Sequence, residues 1–123
     1  MVEPSLNAIT LRTADMAASV AFYELVGLAC TFGGGDAPFS SLRIGSGTFV
    51  NLQFDATWTP QRPGWGRFIL WVDDVDAVHR RLLTAGIEPL TAPADAAWGE
   101  RYFHVLDPAG HEVSIARPLG EPA

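Results

Sequence analysis

Cysteine is nearly absent. The one thiol, Cys30, cannot close an internal disulfide, so the fold depends on its core, and a reducing compartment is expected. Cys30 sits among apolar neighbours and reads as a small core residue. Long apolar runs are missing as well. The longest is Phe68 to Val72, far too short to span a bilayer. The N-terminus carries no basic stretch followed by an apolar one, so the expected location is the cytoplasm, with no membrane partner. Basic residues are scarce, 8 against 14 acidic, for a net charge of -6. That argues against nucleic acid, whose binding depends on neutralising phosphates. Charged residues as a whole make up only 18% and apolar residues 48%, which excludes a disordered chain. At 123 residues there is material for one core.

What the chain does contain is a repeat. "AITLRTADMAASVAFYELVGL" (8–28) and "RFILWVDDVDAVHRRLLTAGI" (67–87) align at an offset of 59 without a gap. In each, an alternating strand runs into an aspartate, a helix of about three turns follows, and a glycine ends it. Ile9 and Leu11 share one strand face, opposite Ala8, Thr10 and Arg12. Phe68, Leu70 and Val72 oppose Arg67, Ile69 and Trp71. Asp15 and Asp74 are expected to cap the helices. The expected core stripes are Met16, Val20, Tyr23 and Leu25 in the first, and Val75, Val78, Leu82 and Leu83 in the second. Gly27 and Gly86 suit the left-handed residue that closes a helix.

Three extended segments follow each helix: "LACTF", "FSSLRI" and "FVNLQF" in the first half, "IEPLTA", "RYFHVL" and "HEVSIA" in the second. Each half therefore reads βαβββ. The expected organisation is a single domain over 1–123, with one module about 6–54, a linker about 55–66 rich in proline and aromatics, and a second module about 67–118. The fold class is α+β.

The stretch "RYFHVLDPAGHEVSI" (101–115) holds two histidines, an aspartate and a glutamate, and at first reading suggests a metal site. Strand parity argues otherwise. A four-residue loop pairs His104 with Val113; a five-residue loop, 107–111, pairs it with Ser114. The longer loop puts Phe103, Val105, Val113 and Ile115 together on the helix side and leaves Tyr102, His104, Glu112 and Ser114 on the other face, so it is preferred. Asp107 then starts a turn with Pro108, and His111 becomes a solvated loop residue. His104 and Glu112 share a face, where a mutual hydrogen bond is expected.

The two repeated segments, together with "WGERYFHVLDPAGHEVSI", make the chain resemble the vicinal-oxygen-chelate superfamily. That superfamily includes glyoxalase I, extradiol dioxygenases, fosfomycin-resistance enzymes and bleomycin-binding proteins. The resemblance covers residues 6 to 118 and implies two βαβββ modules whose mixed sheets curl around a cavity, usually within a homodimer. Metal-dependent members take one ligand from the first and one from the last strand of each module. Carried onto this chain, those positions are Ala8, Asn51, Arg67 and Ser114. Alanine has no donor atom, Asn and Ser are weak neutral ligands, and arginine has no lone pair. A guanidinium there would repel a dication by about 4 kcal/mol per unit charge at 4 Å with an effective dielectric near 20. The family's metal chemistry is therefore not expected, and no metal, cofactor or catalytic residue is assigned.

The resemblance then points to the drug-binding members, which stack planar ligands on aromatic side chains. The expected cavity-facing set is Ala8, Thr10, Arg12, Asn51, Gln53, Arg67, Ile69, Trp71, Tyr102, His104, Glu112 and Ser114, with Trp58, Trp65 and Trp98 in mouth loops. From these, Asn51, Arg67, Trp71, Trp98, Tyr102, His104, Glu112 and Ser114 are taken as ligand-binding. Trp58 and Trp65 suit the pocket or a dimer interface equally. Arg67 either pairs with Glu112 or holds a ligand anion; the pairing comes first. The expected function is metal-free, non-enzymatic binding or sequestration of a small planar or aromatic molecule, in the manner of antibiotic resistance. Two other readings stand beside it: a metal-dependent lyase, isomerase or dioxygenase of the same superfamily, and a metal-free enzyme using His104 or Glu112 as base.

Overall fold

The structure, a computed structural model, describes residues 3–120. The order is β1 (Ala8–Thr13), α1 (Met16–Val26), β2 (Ala29–Phe32), β3 (Phe39–Ile44), β4 (Thr48–Phe54), β5 (Arg67–Trp71), α2 (Val75–Thr84), β6 (Ala94–Asp95), β7 (Glu100–Leu106) and β8 (Glu112–Pro118). The chain forms two compact units, one ending at Thr59 and the other beginning at Pro60. Each contains one helix and one four-stranded mixed sheet, with orders β1-β4-β3-β2 and β5-β8-β7-β6. In both, the first and last strands of the unit pair in parallel and the other pairs are antiparallel. The class is α+β, as the repeat predicts. Among the described residues no helix is long and apolar enough to cross a membrane.

The repeat extends to register. Asn51 lies opposite Thr10 and Ser41, and Ser114 lies opposite Ile69 and His104. Adding 59 on the first strand and 63 on the last two converts one set into the other.

Both helices start where expected. The carboxylates of Asp15 and Asp74 accept the N–H groups of Ala18 and Ala77, each at 3.0 Å, filling donors that the first turn leaves free. Gly27 and Gly86 have φ of 121° and 84°, in the region that favours glycine. The core stripes need correction. In α1, Phe22 and Val26 are buried with Met16, Ser19, Val20 and Tyr23, while Leu25 is only half-buried. Residues 16, 19, 20, 23 and 26 follow the 3.6-residue period, and Leu25 falls off it. In α2, Val75, Val78 and Leu82 are buried, but Leu83 is 45% exposed, one position and about 100° beyond Leu82. Cys30 is half-buried rather than core, its Sγ directed at the Phe32 carbonyl at 3.4 Å.

The segment 87–92, expected as a strand, is irregular. Pro89 and Pro93 remove ladder donors. What remains is a partial seam along β7: Leu90 N–H donates to the His104 carbonyl at 2.9 Å, and His104 N–H donates to Thr91 Oγ1 at 2.9 Å. The short strand β6 forms later, at Ala94–Asp95.

Candidate functional site

The β7–β8 hairpin has the five-residue loop, with His104 opposite Ser114. Phe103, Val105, Val113 and Ile115 are fully buried, so the apolar pattern fixes the register. Asp107 is the turn former. Its Oδ1 accepts the N–H groups of Ala109 and His111 at 3.0 and 2.9 Å, and both bonds are buried. His111 is not solvated. It is 5% exposed, and its Nδ1 accepts the indole N–H of Trp65 at 2.8 Å. Because indole can only donate, that nitrogen carries no proton.

The other face of this sheet brings together seven of the eight expected ligand-binding residues. At one end, Arg67 pairs with Glu112 at 3.7 Å, matching the first of its two expected readings. Glu112 Oε2 is 3.9 Å from His104 Nδ1, too long for the expected hydrogen bond. His104 Nδ1 instead meets Ser114 Oγ at 2.8 Å. The register explains this: Ser114 is directly across from His104, whereas Glu112 is across from Leu106. Partial burial pushes the His104 pKa below the ordinary imidazole value; Arg67 acts in the same direction and Glu112 opposes it. The site thus favours the neutral, hydrogen-bonded imidazole of His104 over its charged form.

From His104 a row of rings runs along β7. The Tyr102 ring is 5.1 Å from His104, and the Trp98 ring is 5.6 Å from Tyr102 at an interplanar angle of 32°. Trp71, on β5, lies at the same end of the sheet. The register Trp71–Ala116–Tyr102 puts one small residue between two large ones. Trp98 and Trp71 are 70% and 64% exposed. Their N–H groups nevertheless meet on one carboxylate: Trp98 Nε1 donates to Glu100 Oε1 at 2.9 Å and Trp71 Nε1 to Glu100 Oε2 at 3.3 Å. Sequence reasoning missed Glu100. The signal was parity, since 100, 102 and 104 alternate onto one face, but the strand was begun at 101.

Asn51, the eighth residue, belongs to the first unit. Its Oδ1 accepts from Ser41 Oγ at 2.7 Å and its Nδ2 donates to Thr10 Oγ1 at 3.4 Å. The repeat therefore holds at the level of side-chain bonding. Ser41–Asn51 and His104–Ser114 are the same cross-strand pair in the two units.

The family's metal positions fit an ion poorly. Ala8 offers no donor, Asn51 and Ser114 are engaged by their neighbours, and Arg67 is a cation beside Glu112. Among the described residues no three His, Cys, Asp or Glu side chains cluster. An open hollow of about 360 Å³ lies at the start of α1, lined by Asp15, Met16, Asp36 and Phe54 among others. None of the predicted site residues lines it, and its Asp15 already serves as a helix cap.

Comparison with known proteins agrees with this architecture. A 52-residue stretch is 48% identical to an uncharacterised protein of Mycobacterium bovis, covering 42% of this chain but only 34% of that protein. The match therefore spans about a third of the curated relative's length. Among solved structures, a bleomycin-binding protein complexed with bleomycin aligns with TM-score 0.68 at 23% identity, over 94% of this chain and 98% of that one. A glyoxalase/dioxygenase from Nostoc punctiforme aligns with TM-score 0.77 at 18% identity, over 98% and 97%. At these identities the likeness is one of fold. The family model matches residues 5–115, and the chain belongs to the Glyoxalase/Bleomycin resistance protein/Dioxygenase superfamily.

Proposed function

We propose that this chain is a non-enzymatic receptor for a small planar aromatic molecule, bound on the open face of the second sheet. The observation that carries the proposal is the pair of largely exposed tryptophans, Trp71 and Trp98, with both indole N–H groups already satisfied by Glu100. Large rings left open to water are costly surface, and a flat apolar ligand would cover them. Tyr102 and His104 continue the row, and the Arg67–Glu112 pair supplies polar contacts at its far end. The bleomycin complex of a structural neighbour supports a ligand of this kind. Catalysis has less support: Ser114 is buried, and the nitrogen of His104 that faces it is also the one nearest Glu112, so no relay of nucleophile, base and orienting acid forms.

A panel of planar antibiotics and dyes titrated against tryptophan fluorescence tests the proposal. Saturable quenching by at least one planar compound, lost in Trp98→Ala, is the expected result. Flat titrations across the panel, together with turnover of any substrate, would overturn it. The metal-dependent lyase, isomerase or dioxygenase remains the second reading, resting on the proximity of His104 and Glu112. Stoichiometric transition metal in the purified protein, lost in His104→Ala, would establish that reading instead. We also propose a cytoplasmic homodimer. Sedimentation equilibrium at twice the chain mass of 13.2 kDa is expected.

A further inference from the structure

We propose that Glu100 is the specificity-determining residue of this face, and that the ligand it selects is a planar cation. The inference rests on the reading of the face as a ligand site and adds the charge of what binds there.

Two indoles from different parts of the sheet donate to the two oxygens of one carboxylate. This has a steric condition. Trp71 is on β5 and Glu100 on β7, with β8 between them. Ala116, fully buried, occupies β8 between Trp71 and Tyr102, and its methyl group is small enough for an indole to lean across. The bridge also has a chemical consequence. Indole has one polar hydrogen, and here both are engaged by Glu100, which leaves the exposed ring faces as the apolar surface a ligand would stack on. Those faces carry the negative part of the ring quadrupole.

Charge is the second consequence. Both partners of Glu100 are neutral donors, so neither offsets a charge on it. Among the described residues Glu100 forms no ion pair, whereas Glu112 faces Arg67, and Asp76 and Asp95 share Arg101. A carboxylate with no ion pair thus sits at the N–H edges of two exposed indoles whose π faces stay open. Both attract a cation and both repel an anion. The tilted Trp98–Tyr102 pair, at 32° between planes, sets the shape, since a flat ring on the open side of Trp98 extends a row already present. The contributions of an exposed cation–π contact and a solvated ion pair together amount to about a tenfold preference for cation over anion.

The test uses the intact chain and two three-ring probes, proflavine as the cation and anthracene-2-sulfonate as the anion, measured by equilibrium dialysis. The parent protein is expected to bind proflavine about tenfold more tightly. Glu100→Gln, which keeps one oxygen acceptor but no charge, is expected to bring the two affinities within about threefold. Equal binding of the probes by the parent, or a preference that survives Glu100→Gln, would overturn the inference while leaving the receptor reading intact. Binding of neither probe would overturn the inference, and flat titrations across the wider panel would then overturn the receptor reading too. Should Glu100→Gln fail to fold, salt provides the second measurement. Raising ionic strength from about 0.02 to 0.5 M should shrink the parent's cation preference severalfold; an unchanged preference would refute the role of charge.

Discussion

Replacing Asp107 with alanine should cost the protein more than its place in a surface turn suggests. Asp107 is buried, and one of its oxygens receives two backbone N–H groups, those of Ala109 and His111, at 3.0 and 2.9 Å. Alanine removes that acceptor. The backbone bonds from Asp107 N–H to the His111 carbonyl and from Gly110 N–H to the Asp107 carbonyl remain, at 2.8 and 2.9 Å, so the turn has no easy alternative in which the two donors are satisfied. A buried donor left unpaired costs about 1–3 kcal/mol. The exposed Pro108 beside them offers water partial access. The combined loss is therefore set at about 2–4 kcal/mol. Urea unfolding followed by circular dichroism reads this as a midpoint lower by about 1–2 M, for a slope of about 2 kcal/mol/M. Asp107→Asn keeps the carbonyl oxygen and should lose less. The loop also holds the register that sets His104 against Ser114, so ligand affinity should fall in the alanine variant near its new midpoint. A loss under about 0.5 kcal/mol would refute the role given to this carboxylate.

Acid should weaken the fold in two stages. His104 has a lowered pKa, so the folded state favours neutral imidazole; its contribution is complete above the ordinary value near 6.5 and is lost as pH falls through the lower folded value. The pH 7 to 5 slope of unfolding free energy should flatten in His104→Gln. Asp76 has a carboxyl held low chiefly by its hydrogen bonds from Arg101. Its contribution is present above the ordinary carboxylate value near 4 and is lost as pH falls through the folded one, so Asp76→Asn should show a shallower decline below pH 4. Glu112→Gln should lower the His104 pKa further, because Glu112 is the group that raises it, and Arg67→Met should raise it; histidine ring chemical shifts followed through a titration report both. Trp65→Phe removes the donor to His111 Nδ1 and should cost about 1 kcal/mol in the same urea assay.

Several parts of this structure were readable from residue order alone, and the reasons are local. The hairpin register followed from four apolar residues that only one loop length puts on a common face. The helix starts followed from Asp15 and Asp74, whose capping bonds reach only three residues ahead. The stripe assignments failed at Leu25 and Leu83, where an apolar side chain departs from the 3.6-residue period and hydropathy alone misleads. The segment 87–92 departs from the repeat because Pro89 and Pro93, which have no counterpart in LACTF, remove ladder donors. At the site, parity collected the residues of β5, β7 and β8, but the double bridge through Glu100 depends on how far Trp71 leans across Ala116. No periodicity encodes that reach. The burial of His111 was equally hidden, since its partner Trp65 is 46 residues away in the chain.

The central claim concerns which rings meet the ligand, and the four indole N–H resonances of the 15N-labelled protein test it most directly. On addition of a saturating planar compound, the account predicts shifts in the signals of Trp71 and Trp98, while those of Trp58 and Trp65 stay in place. Saturable binding that moves Trp58 and Trp65 and leaves Trp71 and Trp98 unchanged would contradict it.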